Sequence, residues 1–199
     1  MEHIISKEIA GNLMKIKGEA RGTHFISDSQ YILVKEGEQG LKKIEEELQE
    51  LGFPIEYKKI RNTDFYPIGL RAISLLAIKK VFNYEDKEVR NLCAFATKVS
   101  MIIRLYLKFF CSIEKMSKVA PKMWNEYFTV GSLKMTEYDE KEKRAVLRIE
   151  DFELHCIYCR CLEGFFGNIV KMVVGVKEVS CKEQKCSIGQ NFHEFVVTW

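Results

Sequence analysis

The stretch SLKMTEYDEKEKRAVLRIE, residues 132–150, decides the fold. Leu133 and Met135 precede a charged turn, YDEKEK at 138–143, and Ala145, Leu147 and Ile149 alternate after it. A period of two predicts a β-hairpin with one face inward and the other wet. The chain before it follows a helical period instead. Leu41, Ile44, Leu48 and Leu51 fall at helical spacing, and Gly52 followed by Pro54 stops that helix. Residues 68–82 read as a second helix, apolar on most of its circumference. Asn83 is expected to cap a third, long helix, with Asp86 three residues on. There Leu92, Phe95, Ala96, Val99, Ile102, Ile103, Tyr106 and Phe110 keep the i, i+3, i+4, i+7 rule. A shorter helix follows Pro121, which suits a first helical turn. Beyond the hairpin, 154–170 returns to helix, and 172–181 with 192–199 reads as a second hairpin. Residues 1–37 give no clear reading; 12–17 and 30–35 fit strand and helix alike. Helices first, then β-β-α-β-β, predicts an α+β class in which an N-terminal helical layer packs on an antiparallel sheet. We expect one domain over 1–199, with a helical part at 38–128 and the chemistry in 129–199.

The chain's 199 residues can bury roughly 70% of the unfolded surface, so a core is available without staples. Hydrophobic residues at 47% and charged residues at 30% exclude disorder, collagen and coiled coil as whole-chain readings. A net charge of +3 gives no support for nucleic-acid binding, and the basic cluster Lys115, Lys118 and Lys122 reads as a solvated helix face. The longest apolar tract, 94–113, holds Lys98, Arg104 and Lys108, so no membrane span is expected. With no secretory signal visible at 1–10, the expected compartment is the cytoplasm. Seven cysteines in that setting point to reduced thiols or metal ligands rather than a disulfide framework.

Five of those cysteines and two of four histidines lie in three patches: HCIYCRCLEG at 155–164, KEVSCKEQKC at 177–186, and FHEF at 192–195. Thiolate, imidazole and carboxylate together are what tetrahedral zinc requires. One reading is an all-cysteine set of Cys156, Cys159, Cys181 and Cys186, in a C-x2-C and C-x4-C pattern, although the first pair sits on a predicted helix. Cys93, Cys111 and Cys161 read as small core hydrophobes, and His3 and His24 as surface residues.

A second reading comes from resemblance. LEG at 162–164, KEVSC at 177–181, and G-x3-H-x-F built on Gly189, His193 and Phe195 resemble motifs of the 4-vinyl reductase-type, hydrocarbon-binding domain. That domain also serves as the sensor module of phenol- and xylene-responsive activators. It shares its fold with the small subunits of the transport protein particle and with haem nitric-oxide-binding domains. The resemblance implies a structural zinc. Glu178 and Cys181 match the family's E-x2-C, His193 replaces its last cysteine, and either His155 or Cys156 supplies the first ligand. It also implies a homodimer and a small apolar or aromatic ligand. A pocket between helices and sheet is expected to be lined by Tyr106, Phe110, Trp124, Phe128 and Phe165. No phosphate loop, G-x-S-x-G or H-E-x-x-H occurs, and no dinucleotide fingerprint supplies an electron donor, so the expectation is a sensor or carrier and not an enzyme. Haem has no histidine in the long central helices, and the Tyr-x-Ser-x-Arg motif of nitric-oxide sensors is absent. Two rivals stand beside this reading: an interaction module dimerising through its helical face, and a cysteine-based redox or metal-transfer protein.

Overall fold

The computed structural model describes residues 4–96, 112–186 and 191–199. Helix α1 (Lys7–Leu13) and a short strand β1 (Glu19–Arg21) lead into α2 (Thr23–Glu50). Strand β2 (Phe65–Pro67) pairs antiparallel with β1 and runs into α3 (Ile68–Val81), followed by α4 (Asp86–Phe95) and α5 (Ile113–Tyr127). The hairpin read from 132–150 is present as β3 (Ser132–Asp139) and β4 (Arg144–Glu150), with Leu133 opposite Ile149 and Met135 opposite Leu147. Helix α6 (Ile157–Val174), β5 (Ser180–Lys185) and β6 (Phe192–Thr198) complete the α+β fold. The four-stranded sheet runs β3-β4-β6-β5, antiparallel throughout.

The first half of helix α2 occupies a region that the sequence left ambiguous, whereas its second half is the helix read from Leu41, Ile44, Leu48 and Leu51. Its core face carries Phe25, Ile32, Leu41, Ile44 and Leu48, but His24, Ser27, Asp28 and Ser29 are buried too. Those buried polar residues conceal the apolar period. Gly37, at φ 70 and ψ −175, breaks the helical path inside α2, a conformation that a side chain would resist. Helix α3 is buried nearly all round, as its composition predicts.

Four local expectations are corrected. Asn83 does not cap a helix: it stands at φ 50 in the connecting turn, and Glu85 is the N-cap of α4. Pro121 lies inside α5, which starts earlier because the Ser112 side chain accepts the Lys115 amide at 3.2 Å. The strand expected at 172–181 begins only at Ser180, since α6 continues to Val174 and ends on left-handed Gly175. Cys93 and Cys161 are core residues, but they are joined in a disulfide between α4 and α6 instead of standing as free thiols.

The sheet's inner face carries Leu147, Ile149, Phe195 and Val197 against α6, with the rings of Phe166 and Phe195 5.4 Å apart. Helix α4 packs on the other side of α6 at backbone distance. A Cβ at Gly164 would lie 2.0 Å from the Arg90 carbonyl oxygen, so only glycine permits this approach. Among the described residues no helix is long and apolar enough to cross a membrane.

Candidate ligand site

The centre of the helical layer contains charge. Arg71, from α3, meets Asp28, from α2, through Nε–Oδ2 at 3.2 Å and Nη2–Oδ1 at 3.3 Å, with side chains 3% and 0% exposed. Burial opposes the Arg71 charge, but the carboxylate beside it prevails and holds the guanidinium protonated. Burial lifts the Asp28 carboxyl above its usual range even with Arg71 beside it. The Arg71 guanidinium lies 5.6 Å from the centroid of the Tyr158 ring, at the start of α6. Nearby, the Tyr57 and Ser74 hydroxyls share a 2.6 Å hydrogen bond.

One buried polar atom in this region, His24 Nε2, has no hydrogen-bond partner, and the Tyr158 hydroxyl has only the Arg71 guanidinium beside it. Buried polar groups are nearly always paired, so such an atom is unusual. Burial, with Arg71 adding to it, holds His24 well below the ordinary histidine range, so its imidazole is neutral. His24 was expected at the surface. It is instead buried and stacked on Phe128, with centroids 4.9 Å apart and planes at 25°.

An aromatic wall continues from that contact. Phe128 stacks on Trp124 at 4.4 Å, and Phe152 meets both edge-on, at 5.7 Å and 5.1 Å. Phe152 also reaches the Tyr158 ring at 5.7 Å. The wall thus runs from His24 to Tyr158, with the Asp28–Arg71 pair between α2 and α3 beside it. Of the expected lining, Trp124 and Phe128 belong to this wall, and Phe165 makes its ring contact with Phe166. Tyr106 and Phe110 lie outside the described residues. Sequence reasoning missed Asp28, Arg71, Phe152 and Tyr158. The available signal was Arg71, the one charge in the α3 segment ahead of the Lys79–Lys80 pair at its end.

A second cluster sits where α6 meets the last strands. His193 Nε2 donates to the Phe152 carbonyl at 2.8 Å, and its Nδ1 faces Glu183 Oε1 at 2.9 Å. Cys159 Sγ lies 3.7 Å from that nitrogen and 4.0 Å from Cys186 Sγ. Ligand atoms of Cys159, Glu183, Cys186 and His193 all lie within 4.8 Å of one another, in a polar knot of which Cys159 and His193 are buried and Glu183 and Cys186 half-buried. Burial pushes the Cys159 thiol up, and the Glu183 carboxylate pushes the same way. Burial alone would raise Glu183, but hydrogen bonds from His193 and Cys159 and the nearby charge of Arg160 bring it below its usual range.

Of the five residues assigned to a zinc corner, only His193 belongs to this knot. His155 Nδ1 accepts the Ile157 amide at 3.1 Å, and Cys156 beside it is exposed. Glu178 is exposed in the loop before β5, and Cys181 packs with its Cβ 3.3 Å from where a Gly167 side chain would start. The all-cysteine set fares similarly: Cys159 and Cys186 meet, whereas Cys156 and Cys181 stand elsewhere. A further E-x2-C in the sequence, Glu183 to Cys186, was the signal for the residues that do converge.

No protein-family model matches the sequence, and no curated protein matches it. Among solved structures, the fold is similar to that of an H-NOX protein from S. oneidensis in its Fe(II)NO ligation state. The TM-score is 0.64 at 10% identity, over 89% of this chain and 97% of that one. Unliganded Fe(II) H-NOX protein from K. algicida gives 0.61 at 11% identity, covering 89% of this chain and 95% of that chain. An oxygen-binding H-NOX domain related to soluble guanylate cyclases gives 0.58 at 10% identity, over 88% of this chain and 89% of that one. The expectation of a structural zinc is therefore corrected: the structures of like fold are described with haem and Fe(II), and the residues assigned to zinc do not converge. At such low identity the likeness bears on architecture alone, and in architecture this chain is similar to the H-NOX proteins.

Proposed function

We propose that the chain is a non-catalytic sensor or carrier domain that binds a small, largely apolar or aromatic molecule at the wall formed by Trp124, Phe128 and Phe152. One observation carries the reading: His24 Nε2 is buried beside that wall with no partner, and the Tyr158 hydroxyl at the wall's other end has only Arg71. An apolar body against the rings and one hydrogen-bonding group toward those atoms is the ligand chemistry that satisfies the site. The fold supports the same reading, since the H-NOX proteins similar to it are named for ligation of nitric oxide or oxygen.

Haem itself does not fit the described residues. His193 engages both ring nitrogens, and His155 Nδ1 accepts a backbone amide. His24 has a free nitrogen, but it is buried with Tyr127 and Phe128 against the ring, and neither described cleft of porphyrin size reaches it. Two clefts of about 670 and 640 Å³ are lined without a histidine. Residues 97–111 contain no histidine either. No iron-dependent step is assigned.

Native mass spectrometry of freshly purified protein, read against 23.2 kDa, tests the proposal. A retained small molecule, or a saturable rise in melting temperature with para-cresol that His24→Ala abolishes, is expected. A bare mass together with no saturable response to para-cresol or toluene overturns it. Titration with haemin is expected to produce no stoichiometric Soret shift.

A further inference from the structure

A cleft of about 670 Å³ opens between α4, α6 and the start of β5, away from the aromatic wall. Its floor is built around Glu163, which is 4% exposed. Arg90 Nη1 reaches one Glu163 oxygen at 3.1 Å and Arg160 Nη1 the other at 3.0 Å, while the Glu183 amide donates to it at 2.9 Å. Arg160 Nη2 also holds the Glu183 carboxylate at 3.1 Å. Two carboxylates thus fix two guanidinium groups in a rigid, electrically balanced floor. Each guanidinium has five N–H donors and spends only one or two of them here, which leaves donors for the cleft.

The rim is not balanced. Lys87, Lys171, Lys177 and Lys182 line it, all exposed, and only Glu178 stands among them. None of the four lysines has a carboxylate partner within 4.0 Å among the described residues. The cleft as a whole gathers six cations and three carboxylates. Like charges collected around one concavity focus a positive potential into it and raise the local concentration of anions. Its volume lies within the range of small-molecule sites, roughly 300–1,000 Å³.

The geometry points to this cleft as a binding site for a small molecule carrying two or more phosphate groups. A terminal phosphate brings roughly −1.5 to −2 charges at neutral pH, so two of them match the excess of three cations. Lysines act as mobile point charges toward phosphate oxygens, and the fixed arginines add oriented donors from below. Gly164 and Gly167 of α6 also line the cleft. The site is independent of the aromatic centre and does not rest on what binds there.

Isothermal titration of the whole chain with inorganic pyrophosphate at low ionic strength tests the inference. One saturable site is expected, weakened at least tenfold by Lys177→Ala/Lys182→Ala and weakened further as salt is raised. These lysines are exposed and make no ion pair, so the double variant keeps the fold, which circular dichroism checks. Lys42→Ala/Lys43→Ala removes two exposed charges elsewhere and is expected to leave binding unchanged. An absence of saturable heat overturns the site. So does an equal loss in both double variants, which marks a general charge effect. Citrate binding as tightly as pyrophosphate overturns the choice of phosphate.

Discussion

Replacing Arg71 with methionine leaves Asp28 buried and unpaired, and its cost can be worked from the geometry. At 3.2 Å and an effective dielectric near 20, Coulomb's law gives about 5 kcal/mol for the pair. Desolvation offsets much of that in the intact protein, so the pair itself adds little net stability. Removing one partner forfeits the attraction while the other stays dehydrated, a loss of about 3–5 kcal/mol. For a chain of this length that corresponds to a melting temperature lower by roughly 6–20 °C. Asp28→Leu/Arg71→Met removes both charges and is expected to recover about 2 kcal/mol or more relative to Arg71→Met alone. Urea unfolding of the wild type, both single variants and the double variant closes the cycle, with unchanged m values confirming a two-state comparison. An Arg71→Met cost below about 1 kcal/mol, or a double variant as unstable as the two single losses added together, would refute the reasoning.

Other outcomes follow from packing and charge. Gly164→Ala forces its new methyl to within 2.0 Å of the Arg90 carbonyl, so α4 and α6 must separate; a loss of about 1–3 kcal/mol or more is expected in denaturant melts. Reducing the Cys93–Cys161 disulfide frees a loop of 68 residues, and the chain-entropy estimate for that length is about 4 kcal/mol, measurable as a lower melting temperature under dithiothreitol. Glu183 titrates below its usual range in the fold, so its contribution is present above the unfolded carboxylate value, near 4.5, and fades as pH falls through the folded value. Glu183→Gln is therefore expected to lower stability at neutral pH and to flatten the acid limb of the stability profile.

The strands and helices that follow a clean period were legible in the sequence. The 132–150 hairpin and the last strand alternate, and the α3 segment is apolar enough to announce burial. The second half of α2 was legible from Leu41, Ile44 and Leu48, but its first half was not, because His24, Ser27, Asp28 and Ser29 occupy buried positions where a pattern argument expects carbon. The third helix was misjudged at its start because Asn83 looks like a cap but takes a left-handed turn. At the cysteine-rich tail, two E-x2-C segments lie five residues apart. The first was taken because it aligned with the resemblance, yet the sheet register delivers the second. Glu183 pairs opposite Phe195 on β6, which places it beside His193, while Glu178 precedes the strand altogether. The polar centre around Asp28 and Arg71 joins residues 43 positions apart, a pairing that no local pattern can reveal.

Helix α6 is fastened along its length to different parts of the molecule. Tyr158 faces the Arg71 guanidinium, Cys161 is bonded to α4, Glu163 grips the β5 backbone, and Gly164 lies flush against the Arg90 carbonyl. A rod held at so many points has little freedom to roll or slide on its own. Its 18 residues span about 27 Å, so a displacement imposed at the Tyr158 end is carried as a rigid shift toward Gly175. The phosphate cleft borders that same rod. One rigid element therefore sets the spacing between the aromatic wall beside Tyr158 and the side of the basic cleft.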